Sequence, residues 1–219
     1  DHSGNYGTVW CDFDQDGDLD LTIAKCRQFI GDPLDPRRIN QLWINDGNNN
    51  YTEAAEERGL VLYEQSWTVD YADFDNDGDL DILTFQQSGG SIEYHQNQSM
   101  ELYGNCDSLT FELNTDCWGN FFEGLNSYDL NNCNDENFAP LIESRSNSHS
   151  GSTLLALDID GDNDKDILLG DVSFNNINLL TNGGTTQEAD MTEANQNFPV
   201  GVGTDISGEI NSFPAMYYV

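Results

Sequence analysis

Three matched nonapeptides concentrate the residues of this chain that can do chemistry. They are Asp12-Phe-Asp14-Gln-Asp16-Gly17-Asp18-Leu-Asp20, Asp73-Phe-Asp75-Asn-Asp77-Gly78-Asp79-Leu-Asp81 and Asp158-Ile-Asp160-Gly-Asp162-Asn163-Asp164-Lys-Asp166. Each carries five Asp at alternate positions, so 15 of the 40 acidic residues fall within 27 positions. Carboxylates packed that densely repel one another unless a cation neutralises them. Calcium takes six to eight oxygen ligands at about 2.3–2.6 Å in flexible geometry, which suits a chain wrapping an ion with every second side chain. Positions 1, 3, 5 and 9 are expected to converge through their side chains and position 7 through its carbonyl. Gly at position 6 permits a left-handed turn, and Asn163, the next most tolerant type, holds that place in the third loop. The candidate metal ligands are therefore Asp12, Asp14, Asp16, Asp18 and Asp20; Asp73, Asp75, Asp77, Asp79 and Asp81; and Asp158, Asp160, Asp162, Asp164 and Asp166. About three calcium ions are expected, one per loop.

The EF-hand shares the opening of this pattern but needs an acidic ligand at position 12 and flanking helices. Position 12 is Ile23, Thr84 and Leu169, and the flanks read as strands. A solvated Asp-rich turn explains one such copy better than it explains three. The ligands of each loop come from one short hairpin and leave no open position for substrate, so an architectural ion is expected.

The elements that must position these loops repeat with them. Offsets of 61 and 85 residues separate the first aspartates. Each loop lies between apolar runs of strand length: Thr8-Val9-Trp10 and Leu19–Ile23, Val69–Ala72 and Leu80–Leu83, Leu154–Leu157 and Ile167–Leu169. A third strand follows at Gln41–Ile44, Ile92–Tyr94 and Ile177–Leu180, closed by turns such as Asn45-Asp46-Gly47 and Asn182-Gly183-Gly184. A fourth is read near Tyr51–Glu53 and at Leu109–Leu113. Four strands per unit at this period predict an all-β fold of β-propeller blades. The expected blades are 4–65, 66–150 and 151–207, with 208–219 opening a fourth, so the chain reads as part of a larger propeller.

Net charge is −33, from 40 acidic residues against 7 basic, which excludes nucleic acid and anionic membrane surfaces as partners. Hydrophobic residues at 37% and aromatics at 11% argue for a folded chain rather than disorder. No apolar run is long enough for membrane insertion. Five cysteines (Cys11, Cys26, Cys106, Cys117 and Cys133) fit an oxidising compartment, and their spacing matches no zinc pattern. Asn50-Tyr51-Thr52 and Asn97-Gln98-Ser99 are glycosylation triplets. The second repeat is longer by 24 residues, around 115–150, and this insert carries Cys117, Trp118, Phe121, Phe122 and Cys133. Its aromatics either stack on a sugar ligand or pack a small satellite core. His2, His95 and His149 are scattered without a nucleophile partner, so no catalytic residue is assigned. Trp10, Trp43 and Trp67 are expected in the blade core.

The three loops with their flanking strands, and the continuation NQLWINDGNNNYTEAAEERGL, resemble the FG-GAP/VCBS repeats of integrin α-chains and bacterial secreted proteins. The order of the third repeat is similar to large surface proteins of Bacteroidota. That resemblance implies calcium at the Asp loops, export by type IX secretion and an extracellular or cell-surface location. It also implies contacts with further blades or domains of the same polypeptide, and a protein or glycan ligand. In an exported chain with Cys106, Cys117 and Cys133 inside 28 positions, a Cys117–Cys133 or Cys106–Cys117 bridge is expected. Two functions follow: a non-catalytic module for adhesion or partner binding, or an accessory propeller of a secreted polysaccharide-degrading enzyme.

Overall fold

The computed structural model describes residues 5–25, 30, 32, 34–61, 68–86, 90–106, 108–124, 127–133, 152–171, 173–199 and 216. Three four-stranded antiparallel meanders make up most of it. The first is β1 (Asn5–Cys11), β2 (Asp20–Lys25), β3 (Gln41–Asn45) and β4 (Tyr51–Glu53), hydrogen-bonded in that order. The second is β5 (Val69–Ala72), β6 (Asp81–Phe85), β7 (Ile92–Asn97) and β8 (Phe111–Thr115), with a short helix, α1 (Ser99–Tyr103), between β7 and β8. A hairpin of β9 (Phe121–Gly124) and β10 (Ser127–Leu130) follows. The last meander is β11 (Ser152–Leu157), β12 (Asp166–Asp171), β13 (Ile177–Asn182) and β14 (Met191–Phe198). The fold is all-β, and each meander has the strand order of a propeller blade. No described helix is long and apolar enough to cross a membrane.

The chain divides into two compact units, Asp1–Gln87 with Glu93–Thr115 and Ser88–Ile92 with Asp116–Val219. In the first unit, one face of the first blade packs on the second blade. Phe13, Ala24, Leu42, Leu60, Val69, Ile82, Leu109 and Phe111 are buried together there. Each fully buried apolar side chain of this size contributes about 1.5–3 kcal/mol. The Phe13 and Tyr71 rings lie 4.3 Å apart between centroids, and the hydroxyls of Tyr71 and Thr22 are 2.5 Å apart.

Strand alternation decides the fate of Trp10. Val9 and Cys11 point into this core, so Trp10 between them turns to the opposite face, where it is 54% exposed and meets Tyr51 edge-on. The expectation that it lies in the blade core is therefore corrected. Asn97, the first residue of the second glycosylation triplet, is 0% exposed and its side-chain amide donates to the Leu80 carbonyl, so it is closed to glycosylation in the folded chain.

In the second unit the insert forms the β9–β10 hairpin, and Cys117 is bonded to Cys133. Trp118, Phe121 and Phe122 are buried, so none of the three offers a face to a sugar. Gly90 has no room for a side chain, because a Cβ there would sit 2.3 Å from the Phe122 ring. The Met191 N–H donates to the Gly119 carbonyl at 2.8 Å, seating the insert on the edge of β14. Among the described residues Cys11 is a free thiol, and the Cys106 thiol lies 3.7 Å from the Gly78 carbonyl. Cys26, Trp67, His2, His149 and the strand expected over 212–219 (Met216 apart) lie outside the described residues.

Candidate metal centres

Two left-handed residues bend each Asp loop. Position 4 has φ of 57° at Gln15, 61° at Asn76 and 85° at Gly161. Position 6 has φ of 98° at Gly17, 104° at Gly78 and 79° at Asn163. A side chain with a Cβ is strained in that region unless it is Asn or Asp, which accounts for the residue types at most of these places. The bend lets the first aspartate accept the N–H of position 6: Gly17 to Asp12 Oδ2 at 3.1 Å, Gly78 to Asp73 Oδ2 at 3.2 Å and Asn163 to Asp158 Oδ2 at 3.1 Å. The fifth-position aspartate accepts the N–H of position 7, with Asp16, Asp77 and Asp162 at 3.1, 3.0 and 3.1 Å.

The ninth-position aspartate is held differently. Asp20, Asp81 and Asp166 are 1%, 0% and 1% exposed. Each Oδ2 accepts a loop N–H, from Phe13 at 3.1 Å, Phe74 at 3.0 Å and Ile159 at 2.9 Å. Each Oδ1 accepts the N–H of an asparagine ending the third strand, from Asn45 at 2.8 Å, Asn97 at 2.8 Å and Asn182 at 2.9 Å. Tyr94 adds its hydroxyl to Asp81 Oδ2 at 3.0 Å. The asparagine side chains continue the lattice: Asn45 accepts from Asn49, Asn97 from Ser99 and Thr110, and Asn182 from Gly184 and Asp190. The signal for these partners was in the sequence as an Asn closing each third strand, read there only as turn chemistry.

Positions 1, 3 and 9 converge in every loop. Asp12, Asp14 and Asp20 have carboxylate oxygens within 4.8 Å of one another, as do Asp73, Asp75 and Asp81, and Asp158, Asp160 and Asp166. Asp16, Asp18, Asp79, Asp162 and Asp164 stand outside these trios. Asp77 enters a separate group with Asp75 and Glu101, a residue of α1 that the nonapeptide pattern does not contain. At position 7 the carboxylate Oδ1 of Asp18, Asp79 and Asp164 is sealed from solvent and accepts no hydrogen bond, and so are Asp12 Oδ1 and Asp14 Oδ1.

Electrostatic strain accompanies this geometry. Burial, and then repulsion from Asp20 and Asp16, pushes the Asp14 carboxyl up to about 6. Burial likewise pushes Asp79 up to about 7, Asp81 to about 8 and Asp164 to about 6. Asp20, Asp75 and Asp160 are raised by the same cause. Among the described residues Arg37 forms an ion pair with Asp35, away from the Asp loops. Carboxylate oxygens of three aspartates within twice a calcium–oxygen bond length of one another, in the first loop including sealed oxygens of Asp12 and Asp14 that accept no hydrogen bond, fit a hard divalent cation. Asp12, Asp14 and Asp20, with their counterparts, would hold it, and it would supply the missing countercharge. His95 lies buried against Glu93 at 3.1 Å and is engaged structurally.

Residues 12–84, about a third of the chain, match the family described as an FG-GAP-like repeat. The matched stretch runs from the first Asp loop through most of β6, inside the first compact unit, and supports the FG-GAP repeat family. A search of curated proteins finds no match to the chain.

Proposed function

We propose that this chain is a calcium-stabilised propeller module of an extracellular or cell-surface protein, serving adhesion or partner binding rather than catalysis. The carrying observation is the threefold recurrence of one carboxylate trio, each anchored by a buried position-9 aspartate that already binds two backbone amides. A cation drawn to that trio ties the loop to the strand pair behind it and so stabilises the blade. The Cys117–Cys133 bridge and the FG-GAP-like match, a repeat typical of extracellular proteins, support the location.

At roughly 1 mM free calcium, a site with Kd of about 10⁻⁴–10⁻³ M stabilises the folded chain by about 0.4–1.4 kcal/mol. The test is calcium content by mass spectrometry together with thermal unfolding in excess calcium and in chelator. Bound calcium, a Tm lowered by chelation, and loss of one ion in Asp160→Ala are expected. No bound calcium and an unchanged Tm would overturn the proposal.

A further inference from the structure

We propose that this chain associates head to tail with a second copy of itself, the open face of its first blade seating on the outer face of the third blade of the other copy. No cation takes part in this contact.

The first blade has one covered face and one open face. Val9, Thr22 and Leu42 pair across β1, β2 and β3 and lie on the side that packs against the second blade. The next row, Trp10, Leu21 and Trp43, pairs across the same strands and points the other way. On that side Thr8 is exposed, Trp10 is 54% exposed, and Leu21, Ile23 and Trp43 are half-buried.

The repeat shows what covers such a face. Asp12 corresponds to Asp73, so Trp10 corresponds to Tyr71 and Leu21 to Ile82, again a cross-strand pair. In the second blade this row is covered by the first blade. The Tyr71 ring lies 4.3 Å from the Phe13 ring, its hydroxyl is 2.5 Å from that of Thr22, and Ile82 is 1% exposed. The surface that fits the Tyr71 row is therefore the Val9–Thr22–Leu42 row of a neighbouring blade.

The third blade carries a row of that kind. Asp158 and Asn182 correspond to Asp12 and Asn45, which places Leu155, Leu168 and Leu179 where the first blade has Val9, Thr22 and Leu42. They pair across β11, β12 and β13. The reverse side of that sheet is closed within its own unit: Leu154, Ile167, Leu169 and Leu180 are buried, and the Ser152 hydroxyl donates to Glu123 of the insert. Leu155 and Leu179 remain half-buried. Three leucines against a Trp–Leu–Trp row make a more apolar match than the one inside the chain, where Thr22 holds the middle place. The two faces are unlike, so the contact is heterologous. A net charge of −33 opposes it. Salt screens that repulsion without weakening apolar burial, so association should strengthen as ionic strength rises.

The test is sedimentation velocity of the full chain over a concentration series, at low and high salt. The weight-average mass should at least double with concentration, and more readily at high salt. Trp10→Glu and Leu155→Glu should each stay monomeric, while their equimolar mixture recovers a dimer, because each keeps the face the other has lost. Circular dichroism checks both folds, and Thr181→Glu, where the first blade packs Ile44, replaces Leu155→Glu if that variant unfolds. A wild type that stays monomeric throughout would overturn the proposal and leave the Trp10 face to a different partner. Association that persists in Trp10→Glu would overturn it as well. A Leu155→Glu chain that still dimerises would show the Trp10 face pairing with itself, against the head-to-tail contact.

Discussion

Asp81 Oδ1 accepts the backbone N–H of Asn97 at 2.8 Å, and the same pairing joins Asp20 to Asn45 and Asp166 to Asn182. In each blade the last aspartate of the loop is thereby the bolt between the second strand and the end of the third. The metal trio is assembled on a residue whose position is set by sheet hydrogen bonds, not by the ion.

Removing the asparagine side of that bolt should cost more than its surface area suggests. Asn97 Oδ1 accepts from the Ser99 N–H, the Ser99 hydroxyl and the Thr110 N–H, and the residue is fully buried. Asn97→Ala leaves those donors unpaired and should destabilise the chain by about 2–3 kcal/mol. Denaturant unfolding measures it, with exposed Asn50→Ala as the near-neutral comparison.

Acidity should act in opposite directions with and without calcium. Asp14, Asp79, Asp81 and Asp164 have carboxyls raised to about 6, 7, 8 and 6, chiefly by burial. A raised carboxyl binds its proton more tightly folded than unfolded, so its contribution is full below about pH 4 and lost as pH climbs through 6 to 8. The metal-free chain should melt several degrees lower at pH 8.5 than at pH 5. Saturating calcium should reverse the order, because the ion requires deprotonated ligands. A metal-free Tm that rises with pH would contradict this account of the loops.

Glu123 carries a similar load in the second unit. It is 1% exposed, the Ser152 hydroxyl donates to its Oε1 at 2.7 Å, and burial with the nearby Asp171 charge pushes it up to about 8. The stability it contributes as a protonated acid is lost as pH rises through that value. Glu123→Gln, which mimics the neutral acid, should match the wild type at pH 6 and exceed its Tm at pH 9.5. Equal alkaline losses in both proteins would remove Glu123 as their source.

Reduction should loosen the insert more than the first unit. The Cys117–Cys133 bridge closes a segment of sequence separation 16, worth about 3 kcal/mol in the chain-entropy account. Hydrogen exchange with and without reductant should show protection falling at β9 and β10 while β2 and β6 are unchanged. Uniform loss across the chain would assign the bridge a global role.

Much of this molecule was legible in the sequence because its signals are local. Apolar runs of strand length, turn residues at fixed offsets and alternating aspartates are properties of adjacent positions, and they locate the loops and most of the strands around them. Convergence is not local. Asp12, Asp14 and Asp20 meet while Asp16 stays aside, because Asp20 is held by an amide 25 residues away in β3. Glu101 reaches Asp75 and Asp77 only because β7 runs beside β6 and α1 folds back onto the loop. Trp10 faces solvent although its strand was correctly placed, since period-two alternation assigns it to a face and the packing of Val9 and Cys11 decides which face is buried. Spacing along a chain specifies which side chains share a side of a strand; only the pairing of strands specifies what lies opposite them.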